Sequence, residues 1–261
     1  MRTVTSRDGT TIAFDQAGQG PALILVGGAF SYRAFPGFVQ LAELLARHFT
    51  VINYDRRGRG DSGDTAPYAV EREIEDLEAL IDAAGGSASV WGMSSGAALA
   101  LTAAASGLKM RKLALYEPPY MVGDSGHRPP ADHQAQLNAL VAAGRRSAAA
   151  RFFLGKVMGI PAIFVALMRL MPFWSKLEAT AHTLPYDAAI MGDFSFPADR
   201  VASVQVPALV IAGEKSPRVL RDAARAVAET LPGVRHRVLE GQSHNVSFPA
   251  LAPVLVEFFR A

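Results

Sequence analysis

Val90-Trp91-Gly92-Met93-Ser94-Ser95-Gly96-Ala97 contains Gly-x-Ser-x-Gly and runs into a string of small residues. The pattern reads as a strand that stops abruptly, a turn too tight for side chains, and a helix that begins at once. Gly92 and Gly96 suit a place where strand and helix nearly touch, because neither carries a Cβ. Ser94 then sits at the apex with its hydroxyl exposed and its backbone strained, a position suited to a nucleophile.

The flanking sequence repeats the strand–helix alternation. Ala22 to Val26 is a continuous apolar run, as expected of a strand buried on both faces of a parallel sheet. Phe49 to Tyr54, Ala88 to Trp91, Lys112 to Tyr116, Val206 to Ala212 and Arg235 to Leu239 read as further strands. Phe38 to His48, Tyr68 to Ala84, Ala97 to Ala105, Arg218 to Leu231 and Ala250 to Phe259 read as helices between and after them. Asp8-Gly9 marks a hairpin turn near the start. The order predicts an α/β fold with a largely parallel sheet. From Tyr120 to Arg200 the rhythm breaks: helical patterns, six prolines and a greasy stretch from Phe152 to Trp174, with no convincing strand. The expected division is a core of residues 1–119 and 201–261 carrying a helical cap of residues 120–200.

The 261 residues are 50% hydrophobic and 19% charged, with a net charge of +2, which suits one large globular domain and gives no reason to expect a nucleic-acid partner. There is no cysteine, so disulfides and thiolate metal sites are excluded. The N-terminal residues carry no apolar signal segment, and Pro161, Arg169 and Pro172 interrupt the most apolar stretch. The expectation is a cytoplasmic protein, a monomer or homodimer, without a membrane span, cofactor or metal, whose partner is a small apolar substrate.

A serine hydroxyl needs a base to take its proton. Of six histidines, His244 follows the last strand in the polar loop Glu240-Gly241-Gln242-Ser243-His244-Asn245. Loops at the carboxyl ends of parallel strands gather on one edge, where Ser94 also lies.

Taken together, Gly92-Met93-Ser94-Ser95-Gly96, Gly27-Gly28-Ala29-Phe30, Asp55-Arg56-Arg57-Gly58-Arg59-Gly60-Asp61-Ser62, Pro207-Ala208-Leu209-Val210-Ile211-Ala212-Gly213 and Gly241-Gln242-Ser243-His244 resemble the α/β-hydrolase fold. The similarity is to its capped esterases and cofactor-free haloperoxidase-like members. It implies a mostly parallel eight-stranded sheet with helices on both faces and a helical cap. It also implies Ser94 as nucleophile, His244 as base, and oxyanion donors at Ala29 (Gly28 if the register shifts by one) and Ser95.

Two departures stand out. Gly27 replaces the family's usual histidine, which backbone donors tolerate. Ser216 occupies the usual place of the acid. Glu117, in Leu115-Tyr116-Glu117-Pro118-Pro119, is the favoured substitute, because some family members carry the acid after that strand; Glu214 is the alternative. The loop from Asp55 to Ser62 reads as a structural brace. In the expected cap, Phe152, Phe153, Met171, Phe173 and Trp174 are candidates to line an apolar chamber, with His182, Tyr186 and Asp187 as polar residues; Phe30 is a further pocket candidate. The expected activity is hydrolysis of a small to medium apolar ester, thioester or lactone. Carbon–carbon bond hydrolysis and low-turnover ligand binding are the alternatives.

Overall fold

The structure is a computed structural model and describes residues 1–123 and 127–261 of the chain. Its strands are β1 (Arg2–Thr5), β2 (Thr11–Ala17), β3 (Ala22–Val26), β4 (Thr50–Tyr54), β5 (Ala88–Met93), β6 (Met110–Tyr116), β7 (Ala208–Gly213) and β8 (Arg235–Leu239). They form one sheet in the order β1-β2-β4-β3-β5-β6-β7-β8. β1 and β2 make an antiparallel hairpin, β2 runs antiparallel to β4, and the remaining pairings are parallel.

The helices of the core are α1 (Pro36–Leu45), α2 (Val70–Ala83) and α3 (Ser95–Ala105). Between β6 and β7 come α4 (His133–Ala142), α5 (Arg146–Phe152), a π-helical turn Phe153–Val157, α6 (Ala162–Met168), α7 (Trp174–Thr180), a 3-10 turn Ala181–Thr183, α8 (Leu184–Met191) and α9 (Ala198–Ala202). The core resumes with β7, followed by α10 (Arg218–Thr230), β8 and α11 (Phe248–Arg260). Among the described residues the β6–β7 segment adds no strand, only a bridge between Met121 and Ser195.

Successive side chains of a strand point to opposite faces, and this splits the core in two. Ile24, Val26, Leu113, Leu115, Val210 and Ala212 pack with Leu77 and Leu80 of α2, the alanines of α3, and Ala223 and Val227 of α10. Leu23, Leu25, Ala114, Tyr116, Leu209 and Ile211 pack with Phe38 and Leu41 of α1 and with Leu251 and Leu255 of α11. A strand covered on both faces needs apolar residues at every position, so β3 and β7 carry unbroken apolar runs.

The element limits shift slightly from the sequence reading. α3 begins at Ser95 rather than Ala97, because the turn closes within one residue of the strand. α1 stops at Leu45, before the expected His48, and α11 starts at Phe248, ahead of Ala250. In the greasy stretch, Val165 and Trp174 are buried, whereas Ile163, Phe164, Leu167, Leu170, Met171 and Phe173 are exposed. Among the described residues no helix is long and apolar enough to cross a membrane.

Candidate active site

β5 lies between β3 and β6, so the turns after these three strands meet at one edge. At the end of β5, Ser94 adopts φ 55° and ψ −128°. Its N–H donates to the Tyr116 carbonyl at 2.9 Å, and its own carbonyl accepts from the Ala97 N–H at 2.9 Å. The turn is therefore held by a neighbouring strand on one side and by the first turn of α3 on the other. A Cβ on Gly96 would lie 2.4 Å from the Val26 carbonyl oxygen, so only glycine lets α3 approach β3 this closely.

Glu117 directly follows Tyr116 and is fully buried. Its Oε1 accepts from the Gly213 N–H at 2.7 Å, and its Oε2 lies 2.7 Å from His244 Nδ1. With the carboxylate as acceptor, Nδ1 carries the hydrogen and Nε2 is left with the lone pair. The histidine loop is fixed independently. Tyr116 Oη donates to the Ser243 carbonyl at 2.6 Å, and the Lys215 N–H donates to the Gln242 carbonyl at 2.7 Å. Glu214 accepts from the Gly241 N–H at 2.7 Å in an exposed position and braces that loop from outside. Among the described residues, the carboxylate bonded to His244 is that of Glu117. Ser216, which stands where the fold usually carries an acid, is buried.

On the other side of Ser94 runs the turn after β3. A Cβ on Gly28 would stand 3.0 Å from Ser94 Cβ and 2.9 Å from the Met93 carbonyl oxygen, so the bare backbone there is what admits the loop beside the serine. Phe30 follows with φ 62°, its ring edge-on to Phe153 at 5.6 Å. Among the described residues, four that are not glycine have positive φ; Phe30, Ser94 and Glu117 (φ 48°) are three of them, and Phe194 is the fourth. Such conformations cost about 1–3 kcal/mol each and persist only where surrounding structure imposes them. Their grouping here marks a built site.

Beneath it lies a buried charge cluster. Arg56 grips Glu73 with Nε and Nη2, both at 2.6 Å, and reaches Asp187 Oδ1 at 2.8 Å with Nη1. Arg59 Nη2 donates to Asp187 Oδ2 at 2.6 Å, and its Nη1 donates to the Gly28 carbonyl at 2.6 Å. Arg56 Nη1 also reaches the Gly27 carbonyl at 3.3 Å, and Ser95 Oγ donates to Asp187 Oδ1 at 2.8 Å. Burial alone would raise the Asp187 carboxyl, but Arg59, Arg56 and the Ser95 hydroxyl outweigh it and hold its pKa below the usual value. Burial works against the charge of both arginines. At Arg56 the Glu73 and Asp187 carboxylates overcome it, whereas Arg59, with Arg56 beside it, ends below its ordinary value.

The remaining sequence candidates separate. Tyr186 stacks flat on Tyr68 at 3.8 Å and donates to Asp64 at 2.9 Å. His182 is half-buried, and burial together with Arg146 lowers its pKa. Trp174 directs its Nε1 to Ser147 and Glu178, within the β6–β7 segment. The structure thus brings Ser94, Ser95, Gly28, Ala29, Phe30, Glu117 and His244 to one edge, while Trp174 and Tyr186 spend their polar atoms elsewhere.

A model of the alpha/beta hydrolase family matches residues 22–257. The chain belongs to this family. An alpha/beta hydrolase from Sphaerobacter thermophilus is 57% identical, with 99% of this chain and 100% of that one covered and a TM-score of 0.93. An enol-lactonase from Burkholderia xenovorans is 20% identical, covering 100% of both chains with a TM-score of 0.73. An esterase from a Rhodococcus species is 21% identical, covering 99% of this chain and 96% of that one, with a TM-score of 0.70. The last two likenesses are of fold. Along the chain the serine turn comes first, then buried Glu117, then the loop that carries His244.

Proposed function

We propose that the protein is a serine hydrolase of a small to medium apolar carboxylic ester, thioester or lactone. The observation that carries this reading is the 2.7 Å contact of His244 Nδ1 with buried Glu117, one strand from the strained Ser94 turn. His244 Nε2 takes the proton as Ser94 Oγ attacks the carbonyl carbon. Glu117 holds the ring tautomer and offsets the positive charge of the imidazolium. The N–H groups of Ala29 and Ser95 receive the oxyanion, with Gly28 N–H next in line. Collapse of the tetrahedral intermediate breaks the bond to the leaving group, which departs with the proton from His244. Water, deprotonated by the same nitrogen, then releases the acyl group and returns the proton to Ser94. The helical segment of residues 120–200 acts as the cap, and Phe30 with Phe153 forms an apolar wall beside the oxyanion turn.

A fluorophosphonate probe tests this directly. Covalent labelling of Ser94 in the folded protein, absent in Ser94→Ala, is the expected result. A folded protein that does not label at Ser94 overturns the reading.

A further inference from the structure

We propose that Arg59 and Asp187 are positioning residues that aim and polarise the two oxyanion donors, so that the oxyanion site is complete only when helix α8 is seated. The inference rests on the serine-hydrolase reading and adds residues to it. A peptide unit is planar and trans, so its C=O and the next N–H point in opposite directions. The Gly28 carbonyl and the Ala29 N–H belong to one such unit. Arg59 Nη1 takes that carbonyl at 2.6 Å from the side away from the N–H, and Ser31 Oγ takes it at 2.6 Å as well. The donor direction of Ala29 is thereby fixed. A buried cation on the carbonyl also draws electron density through the amide and strengthens the N–H as a donor. Arg56 does the same, at 3.3 Å, for the peptide joining Gly27 to Gly28.

Asp187 ties the second donor to the first. One of its oxygens accepts from Ser95 Oγ at 2.8 Å and the other from Arg59 Nη2 at 2.6 Å. A single carboxylate therefore touches the residues behind both candidate donors, Ser95 at 92 positions' distance and Arg59 at 128. Asp187 is carried by α8 of the β6–β7 segment, whereas Arg56, Arg59 and Ser95, which bond to it, all precede β6 in the chain. The cluster balances internally: Arg56 and Arg59 face Glu73 and Asp187, all buried, which leaves no surplus charge for a substrate anion. Its outward hydrogen bonds to the Gly27 and Gly28 carbonyls are what reach the oxyanion turn.

The test uses Asp187→Asn, Arg59→Lys and Ser95→Ala in the full chain. Active sites are titrated with a fluorophosphonate, and kcat, KM and the Ki of a substrate-matched trifluoromethyl ketone are measured per titrated site. The expected result for the first two variants is a fall in kcat of about 10- to 100-fold with KM within about 2-fold, and a matching rise in Ki, because the ketone's oxyanion uses the same donors. Ser95→Ala, which removes one hydroxyl, is expected to move kcat and Ki together by a smaller factor. It keeps the test open if the charge variants do not fold. Unchanged kcat and Ki per titrated site, with only thermal stability lowered, would mean a structural clasp and overturn the proposal. A wild type that does not label at Ser94 overturns the serine-hydrolase reading and this inference with it. A labelling wild type with kinetically silent variants overturns this inference alone.

Discussion

Helices α6 and α8 lie in the same segment between β6 and β7, yet α6 leaves most of its apolar residues in solvent while α8 buries an aspartate along with its apolar residues. In α6 only Val165 is buried, while Ile163 is 64% exposed, and Leu170 just beyond the helix is 81% exposed. In α8 an aspartate is completely inaccessible. Asp187 is inside because two guanidiniums and a hydroxyl saturate it; Ile163, Phe164 and Leu167 of α6 lie in solvent. Partner availability, more than residue polarity, decided burial here. The same contrast separates the two glutamates considered as acids. Glu117 is enclosed, with both oxygens engaged, one by a backbone N–H and one by His244, whereas Glu214 lies outside and holds only a loop N–H.

If enclosed polar groups carry the chemistry and exposed residues do not, the glutamates should show it most strongly. Glu117→Gln is expected to lower kcat on p-nitrophenyl esters by roughly 10⁴-fold, as loss of the orienting carboxylate does in a serine triad. Glu214→Gln should stay within about 2-fold. A steady-state comparison of the two checks this, and the reverse ranking would break the contrast at its main point.

Asp187→Ala leaves buried Arg59 without its carboxylate, holding neutral acceptors such as the Thr183 hydroxyl and the Gly28 carbonyl. The expected loss of unfolding free energy is about 3–5 kcal/mol, read from a urea titration with m unchanged. A loss under about 1 kcal/mol would show that water replaces the carboxylate and that the enclosure is weaker than its geometry suggests.

The acid limb of stability sharpens the same point. Asp187 titrates below its unfolded value of about 3.9, so the unfolded chain binds the proton first. Its contribution is fully present above about pH 4 and is lost as the pH falls through the folded value. Wild type should therefore destabilise more steeply below about pH 4 than Asp187→Asn does. Parallel acid limbs by circular dichroism would remove the carboxylate from the account.

The smallest effect belongs to α6. Phe164→Ser and Leu167→Gln should each change stability by no more than about 0.5 kcal/mol, because little area leaves or enters water. A melting temperature lowered as far as by a core truncation would show that these side chains are covered in solution.

Much of the site lies within reach of local reading. A strand that must be apolar on both faces, a turn that tolerates only glycine beside Ser94, and a helix of small residues are short-range requirements. They are written in consecutive residues at Ala22–Val26 and Ala88–Ala105. The position of His244 after the last strand follows from the same alternation. The greasy stretch between β6 and β7 is less legible. Apolar residues at 163, 167 and 170 have helical spacing, but spacing does not say whether a neighbour exists to cover that face.

The sequence by itself determined the alternating fold, the serine turn, the histidine loop and the short set of carboxylates able to serve as acid. Only the tertiary structure decided among partners. It set Glu117 against His244 across 127 positions, and it joined Arg59 of the arginine loop to the Gly28 carbonyl and to Asp187 of α8. The physical reason is that backbone geometry and periodicity act over a few residues. The pairing of buried charges depends on which strand ends lie side by side and on which helix is laid over them.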